Sequence, residues 1–260
     1  MKFVALDFET ANAFRGSACE IGLVKVIDFE IIEKKSFLIK PKINEFDWYN
    51  TLLHGINEET VENEPEFDTI YKLIKNDLIE FPIIAHNASF DFSVLRHALD
   101  EYGIEYPETK YSCTYQMSKE HFPKQLSLRL DSICKLYDIP ITHHRALPDA
   151  IACANLAIKI FKERDIKDFD DIEKSFNLKI GKLFKGGYSG STKGFNGYKI
   201  SDINYESGKE DPINIFLQEI CLLYRNFTFY GKNRCTKNHL RNWWNYNRWS
   251  NKRYKLFSYW

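Results

Sequence analysis

This chain predicts an α/β fold with a mixed sheet flanked by helices, and three observations carry that expectation. Residues 3–39 read as strands joined by short connections. Helical and strand patterns then alternate from residue 67 onward. A glycine-rich stretch and a basic, aromatic tail follow, and neither continues the pattern. Strands first, then helix and strand in alternation, is the order of a mixed sheet with helices on its faces.

The elements follow in order. Phe3 to Phe8 alternates as a β-strand does, Cys19 to Phe29 forms a second such run, and Lys35 to Ile39 a third. Their short connections fit an antiparallel meander. Between Phe67 and Glu80, the residues Phe67, Ile70, Tyr71, Ile74 and Leu78 fall on one helical face. Ile83 to Ala85 reads as a short buried strand. A helix is expected from Phe90 to Tyr102, with Phe90, Val94, Leu95 and Ala98 inward and Gly103 as its stop. Leu128 to Tyr137 and Ala146 to Glu163 complete the helical set.

Composition narrows the function classes. The 260 residues are 44% hydrophobic and 15% aromatic, enough for a sizeable core, and the formal net charge is zero. The charge is unevenly spread. From Arg225 to Trp260 there are nine Lys or Arg and no Asp or Glu, leaving 27 basic against 36 acidic side chains in the rest. An acidic body meets nucleic acid only if cations offset its carboxylates. The six cysteines, Cys19, Cys113, Cys134, Cys153, Cys221 and Cys235, form no C-x-x-C pair and read as reduced thiols of a cytoplasmic protein. A strand pattern begins at Lys2 without a signal-peptide pattern, and no apolar run nears the ~20 residues of a membrane span.

The chemistry rests on carboxylates. Asp7 and Glu9 lie two apart on the first strand, so both project from one face, with Leu6 and Phe8 on the other. Two carboxylates on one strand face repel unless a cation lies between them. Asp91 follows an apolar strand and a turn, in Ile83-Ile-Ala-His-Asn-Ala-Ser-Phe-Asp91, where a helix begins. Taken alone, an Asp there is a cap or a dipole partner. His144-Arg-Ala-Leu-Pro-Asp149 opens the next long helix. Pro148 is tolerated only in a first turn, so His144 lies on the loop and Asp149 on the helix. Four carboxylates brought together along this path make an oxygen-only cage suited to Mg²⁺ or Mn²⁺ and unsuited to zinc. Two such ions ~4 Å apart clamp the attacking and leaving oxygens of a phosphodiester displacement. His144, titrating near operating pH, suits proton transfer from the attacking water.

The ordered set Asp7, Glu9, Asp91, His144 and Asp149 resembles the DEDDh exonucleases, the group that includes the epsilon proofreading subunit of bacterial replicative DNA polymerase. The matching segments are Val-Ala-Leu-Asp7-Phe-Glu9-Thr10, His-Asn87-Ala-Ser-Phe90-Asp91 and His144-Arg-Ala-Leu-Pro-Asp149-Ala. The resemblance covers residues 1–165, taken as the exonuclease domain. It implies an RNase H-like fold with a mixed five-stranded sheet. It also implies two metal ions on Asp7, Glu9, Asp91 and Asp149, with His144 as general base, and release of nucleoside 5′-monophosphates from DNA 3′ ends. Thr10, His54, Ile56, Asn87 and Phe90 match positions beside the substrate in that family. A DNA polymerase is a further implied partner, and a membrane is not. Many relatives continue the first segment as Glu-Thr-Thr-Gly, where this chain has Glu9-Thr10-Ala11-Asn12. That departure bears on how the substrate end is held. Relatives with the same five residues trim RNA, so RNA is the alternative substrate. A non-catalytic binding module that keeps the fold is the alternative outside enzymes.

Residues 166–210 read as a linker, glycine-rich from Gly181 to Gly208. Residues 211–260 form an irregular tail holding Trp243, Trp244, Trp249 and Trp260 among basic side chains. At face value this is a stacking platform with phosphate-seeking charges. With A/T-rich codons chosen wherever the code is degenerate, a shift of one nucleotide can instead give an amphipathic helix, a Gly-Gly turn and a strand. That string resembles a BRCT domain, so the tail reads as its out-of-frame remnant, shifted near Asp211 to Phe216. The BRCT reading favours DNA as substrate, and the implied function is replication proofreading or repair.

Overall fold

The structure is a computed structural model that describes residues 1–141 and 144–193. The expected tail with its BRCT reading, and the linker beyond residue 193, lie outside the described residues. Strands β1 (Lys2–Thr10), β2 (Ala18–Ile27) and β3 (Glu30–Leu38) form the expected antiparallel meander. The second strand stops short of Phe29, because Asp28 and Phe29 take left-handed backbone, φ 52° and 65°, and turn the chain into β3.

Helices α1 (Trp48–His54) and α2 (Glu58–Val61) follow. Neither was legible in the sequence. The first exposes Trp48, Tyr49 and Leu52, so it has no apolar stripe, and the second is a single turn fixed by its Asn57 cap. Next come α3 (Phe67–Glu80), β4 (Ile83–Ala85) and α4 (Ala88–Glu101). Helix α3 buries Phe67, Ile70, Tyr71, Ile74 and Leu78, the stripe read from sequence. Then β5 (Thr109–Cys113), α5 (Thr114–His121), α6 (Leu130–Leu136) and α7 (Ala146–Glu163) follow. The described chain closes with α8 (Asp171–Phe176), β6 (Leu178–Lys179), β7 (Gly181–Phe184), β8 (Gly187–Ser189) and β9 (Thr192–Lys193).

Among the described residues the main sheet has seven strands, in the order β3-β2-β1-β4-β5-β7-β8. The pairs β1·β4 and β4·β5 are parallel and the other pairs antiparallel. This mixed sheet flanked by helices is the RNase H-like arrangement. Five strands were expected, and β7 and β8 supply the other two. They come from the stretch 166–210 expected as a linker, which carries α8 and β6 to β9 as far as Lys193. The physical reason is local. Leu178, Ile180 and Leu183 are buried, and β7 alternates Gly181 and Leu183 inward with Lys182 and Phe184 outward. Gly181 is a packing glycine, since a Cβ there would stand 2.3 Å from the Tyr111 ring.

Period-two alternation along β1 divides the core between the two faces of the sheet. Phe3 and Ala5 join α7, with Ala150, Ala154 and Ala157, on one side. Val4, Leu6 and Phe8 join α3 and α4 on the other. Small side chains on α7 let its axis approach the sheet closely. Among the described residues no helix is long and apolar enough to cross a membrane.

Candidate active site

Asp7 and Glu9 occupy the C-terminal half of β1, on the face that α7 covers. Asp149 sits in the first turn of α7, behind Pro148, and comes to the same place. One carboxylate oxygen from each of Asp7, Glu9 and Asp149 lies within 4.8 Å of the other two. The first turn of α7 reaches β1 because Gly22 on β2 leaves room for it. A Cβ on Gly22 would stand 2.4 Å from the carbonyl of Ala146.

Asp91 arrives from the opposite face, in the first turn of α4. Strand β4 ends at Ala85, so the Phe8 N–H has no neighbouring strand to pair with. It donates instead to Asp91 Oδ1 at 3.1 Å, which hooks Asp91 around the end of the sheet. The other oxygen, Asp91 Oδ2, is buried with no hydrogen-bond partner. An orphaned buried carboxylate oxygen beside three more carboxylates fits a cation. The turn before α4 is held at Asn87, whose backbone is left-handed at φ 65°, a conformation Asn tolerates. His86 braces that turn, with Nδ1 3.0 Å from Thr114 Oγ1 and Nε2 3.1 Å from the Leu128 carbonyl.

The electrostatics agree with the geometry. Burial pushes the Asp7 carboxyl well up, and the charges of Asp91, Glu9, Asp149 and Glu20 push it further. Burial, then Asp149 and Glu20, raises Glu9 from 4.5 to about 8, against the lowering effect of Arg145. Asp91 is also pushed up, by burial first, while its bond from Phe8 opposes the shift. Carboxylates held in this state favour a proton or a metal ion. Oxygen ligands suit a hard divalent cation.

His144 is half-buried on the loop before α7, with left-handed backbone at φ 66° and its N–H 3.4 Å from Asp149 Oδ2. The five residues matched to the substrate side separate into two groups. Thr10, His54 and Ile56 are buried. His54 Nδ1 accepts from the Ile56 N–H at 3.0 Å, so its Nε2 is the donor toward the Thr10 carbonyl at 3.2 Å. Ile56 lies among Ala11, Cys19 and Val61. Asn87 is exposed and Phe90 half-exposed beside the cluster. Sequence reading missed Arg15, whose guanidinium lies 4.3 Å over the Phe90 ring and within the influence of Asp91. It also missed Asn50, which donates to the Thr10 carbonyl at 2.8 Å, and Glu20 with its partner Arg145. The signal for Glu20 was present, as a lone charge inside the apolar run Ala18-Cys19-Glu20-Ile21 needs a partner.

A carboxylate-lined notch at the end of a mixed sheet, closed by two helix starts, has the donor set of a metal-dependent phosphodiester hydrolase. The fold and the sequence both lead there. The chain superimposes on a structure of exonuclease X in complex with 5′ overhanging duplex DNA. The TM-score is 0.53 at 25% identity, over 64% of this chain and 94% of that one. It shares its fold with the nuclease domain of 3′hExo, a DEDDh family member bound to rAMP, with a TM-score of 0.55 at 17% identity, over 62% of this chain and 92% of that one. Residues 4–157 match the RNase_T exonuclease family, and the chain belongs to that family. Among curated relatives it is 33% identical over 184 residues to the PolC-type DNA polymerase III of Thermotoga petrophila, covering 68% of this chain and 13% of that protein. It is 30% identical over 177 residues to the PolC-type DNA polymerase III of Bacillus cereus, covering 67% of this chain and 12% of that protein. The chain thus spans about an eighth of the length of these relatives. The family depends on divalent metal.

Proposed function

We propose that this protein removes nucleotides from DNA 3′ ends by hydrolysis, releasing nucleoside 5′-monophosphates, in proofreading or repair beside a DNA polymerase. The observation that carries it is the convergence of Asp7, Glu9 and Asp149 within 4.8 Å, with the unpartnered Asp91 Oδ2 beside them. Asp7, Glu9, Asp91 and Asp149 would hold two Mg²⁺ or Mn²⁺ ions. When bound, such ions supply Lewis acidity at the phosphorus and neutralise charge that builds on the departing oxygen. His144 takes a proton from the attacking water, a role suited to an imidazole on the loop beside Asp149. Asn87 and Phe90 offer the terminal nucleotide a polar group and a ring face, with Arg15 stacked behind Phe90. Thr10, His54 and Ile56 act from beneath, fixing the backbone that follows Glu9.

The DNA reading is supported by relatives named as DNA polymerases and by the duplex DNA in the exonuclease X structure. A cytoplasmic location is part of the reading, supported by the free, buried thiols of Cys19, Cys113, Cys134 and Cys153.

The test uses 5′-labelled single-stranded DNA and RNA of one sequence, with Mg²⁺, Mn²⁺ or EDTA. A ladder shortening from the 3′ end is expected, faster on DNA, abolished by EDTA and by Asp7→Ala. Faster shortening of RNA would overturn the substrate assignment, and activity in EDTA would overturn the metal assignment.

A further inference from the structure

We infer that Glu20 is a positioning residue for catalysis, holding the chain on which His144 stands; this rests on His144 being the general base. Glu20 is 1% exposed and lies opposite Glu9 in the β1·β2 register. It raises the carboxyls of Asp7 and Glu9, so its charge works against the site at rest. What Glu20 provides is a grip. Oε1 accepts from Arg145 Nη2 at 2.7 Å, and Oε2 accepts from Arg145 Nε at 3.0 Å and from the Ala146 N–H at 2.9 Å. Ser36 Oγ stands 3.4 Å from Oε1.

The grip falls on the two residues that directly follow His144. The guanidinium fork fixes the plane of the carboxylate, and the main-chain bond fixes the first residue of α7. Two residues along β2, Gly22 lets the same turn rest on the strand, its missing Cβ standing 2.4 Å from the Ala146 carbonyl. His144 is held on its other side as well, where its N–H faces Asp149 Oδ2 at 3.4 Å. Its left-handed backbone, φ 66°, costs a residue other than glycine free energy, so it needs support from its surroundings. The Glu20 grip on Arg145 and Ala146 contributes that support from the C-terminal side. Glu20 and Arg145 act by fixing the backbone from which the imidazole projects.

The variant Glu20→Gln keeps the size of the side chain but cannot accept from both the fork and the Ala146 N–H with a full charge. With Mg²⁺ and 5′-labelled single-stranded DNA, kcat should fall ~10- to 100-fold while KM moves less than ~3-fold. The affinity of the cluster for Mn²⁺, read by electron paramagnetic resonance, should stay within ~3-fold of wild type. The double variant Glu20→Gln/His144→Ala should be no slower than His144→Ala alone, within ~2-fold, because both changes remove one function. Arg145→Met opens the same fork from the half-exposed side, so it decides the matter if Glu20→Gln does not fold. It should lower kcat ~5- to 20-fold with an unchanged circular dichroism spectrum. Wild-type kcat in a folded Glu20→Gln or Arg145→Met variant overturns the inference. So does a multiplicative loss in the double variant, or a fall in Mn²⁺ affinity large enough to account for the lost rate. Full activity in His144→Ala would instead remove the general-base assignment, and this inference with it.

Discussion

Raising the pH should destabilise the metal-free protein, and a divalent cation should suppress that loss. The cause is the crowding of Asp7, Glu9, Asp91 and Asp149. Glu9 gives the scale, because its carboxyl is raised from 4.5 to about 8. A folded-state value above the unfolded one means that the folded protein holds the proton more tightly. The stabilisation is therefore complete below about 4.5 and is lost as pH rises through about 8. A shift of about 3.5 units, at about 1.36 kcal/mol each, gives roughly 5 kcal/mol before solvent screening. Glu9 is partly exposed, and halving for that leaves ~2.5 kcal/mol. Asp7 and Asp91 are pushed in the same direction and add to it. For a folded body of this size, ~2.5 kcal/mol is a fall of ~5–10 °C in Tm. The assay is thermal unfolding in EDTA from about pH 5 to about pH 8.5, repeated with saturating Mg²⁺. Mg²⁺ should raise Tm far more at the alkaline end, since at the acid end protons compete for the same oxygens. A Tm in EDTA that is level or climbs across this range would refute the reasoning, as would an equal Mg²⁺ increment at both ends.

Three other outcomes are expected. Asp149→Asn should remove the largest charge contribution to the Glu9 shift, so Tm in EDTA at about pH 8 should rise by ~1–3 °C while kcat falls at least ~10³-fold; thermal melts and a gel ladder check both. Gly22→Ala should lose ~2–3 kcal/mol by urea unfolding, because its Cβ would meet the Ala146 carbonyl at 2.4 Å and neither backbone can yield cheaply. His144→Ala should lower kcat ~10²- to 10⁴-fold in steady-state kinetics while Mn²⁺ affinity is retained, as the imidazole serves the water and not the cations.

Much of this arrangement is written in short-range patterns. Alternation along Phe3 to Phe8 places Asp7 and Glu9 on one face, and the structure has Phe3 and Ala5 against α7 with Leu6 and Phe8 opposite. Pro148 marks the opening turn of α7, which begins at Ala146 as read. What the sequence hid depends on distance or on ambiguous composition. Glu20 and Arg145 are 125 residues apart, and nothing local to either names the other. Helix α1 carries exposed Trp48, Tyr49 and Leu52, so the apolar stripe that reveals a surface helix is missing. Strands β7 and β8 were masked by glycines that resemble a linker, although Gly181 is small because the Tyr111 ring lies against it.

The placement of the carboxylates also explains why the cluster can form only in the finished fold. Asp7 and Glu9 come with β1, Asp149 with a helix on one face of the sheet, and Asp91 with a helix on the other. No two of these elements make the site alone. The link between the faces is the end of β4 at Ala85. One more paired residue there would take the Phe8 N–H and leave Asp91 Oδ1 without its donor. The short strand therefore has a consequence for chemistry: it frees one main-chain donor, which draws Asp91 around the sheet edge. Repulsion among the assembled charges opposes this closure, and the Glu20–Arg145 grip holds α7 in place against it. A site built in this way is strained toward the proton or the metal ion, and that tension is what a bound cation would relieve.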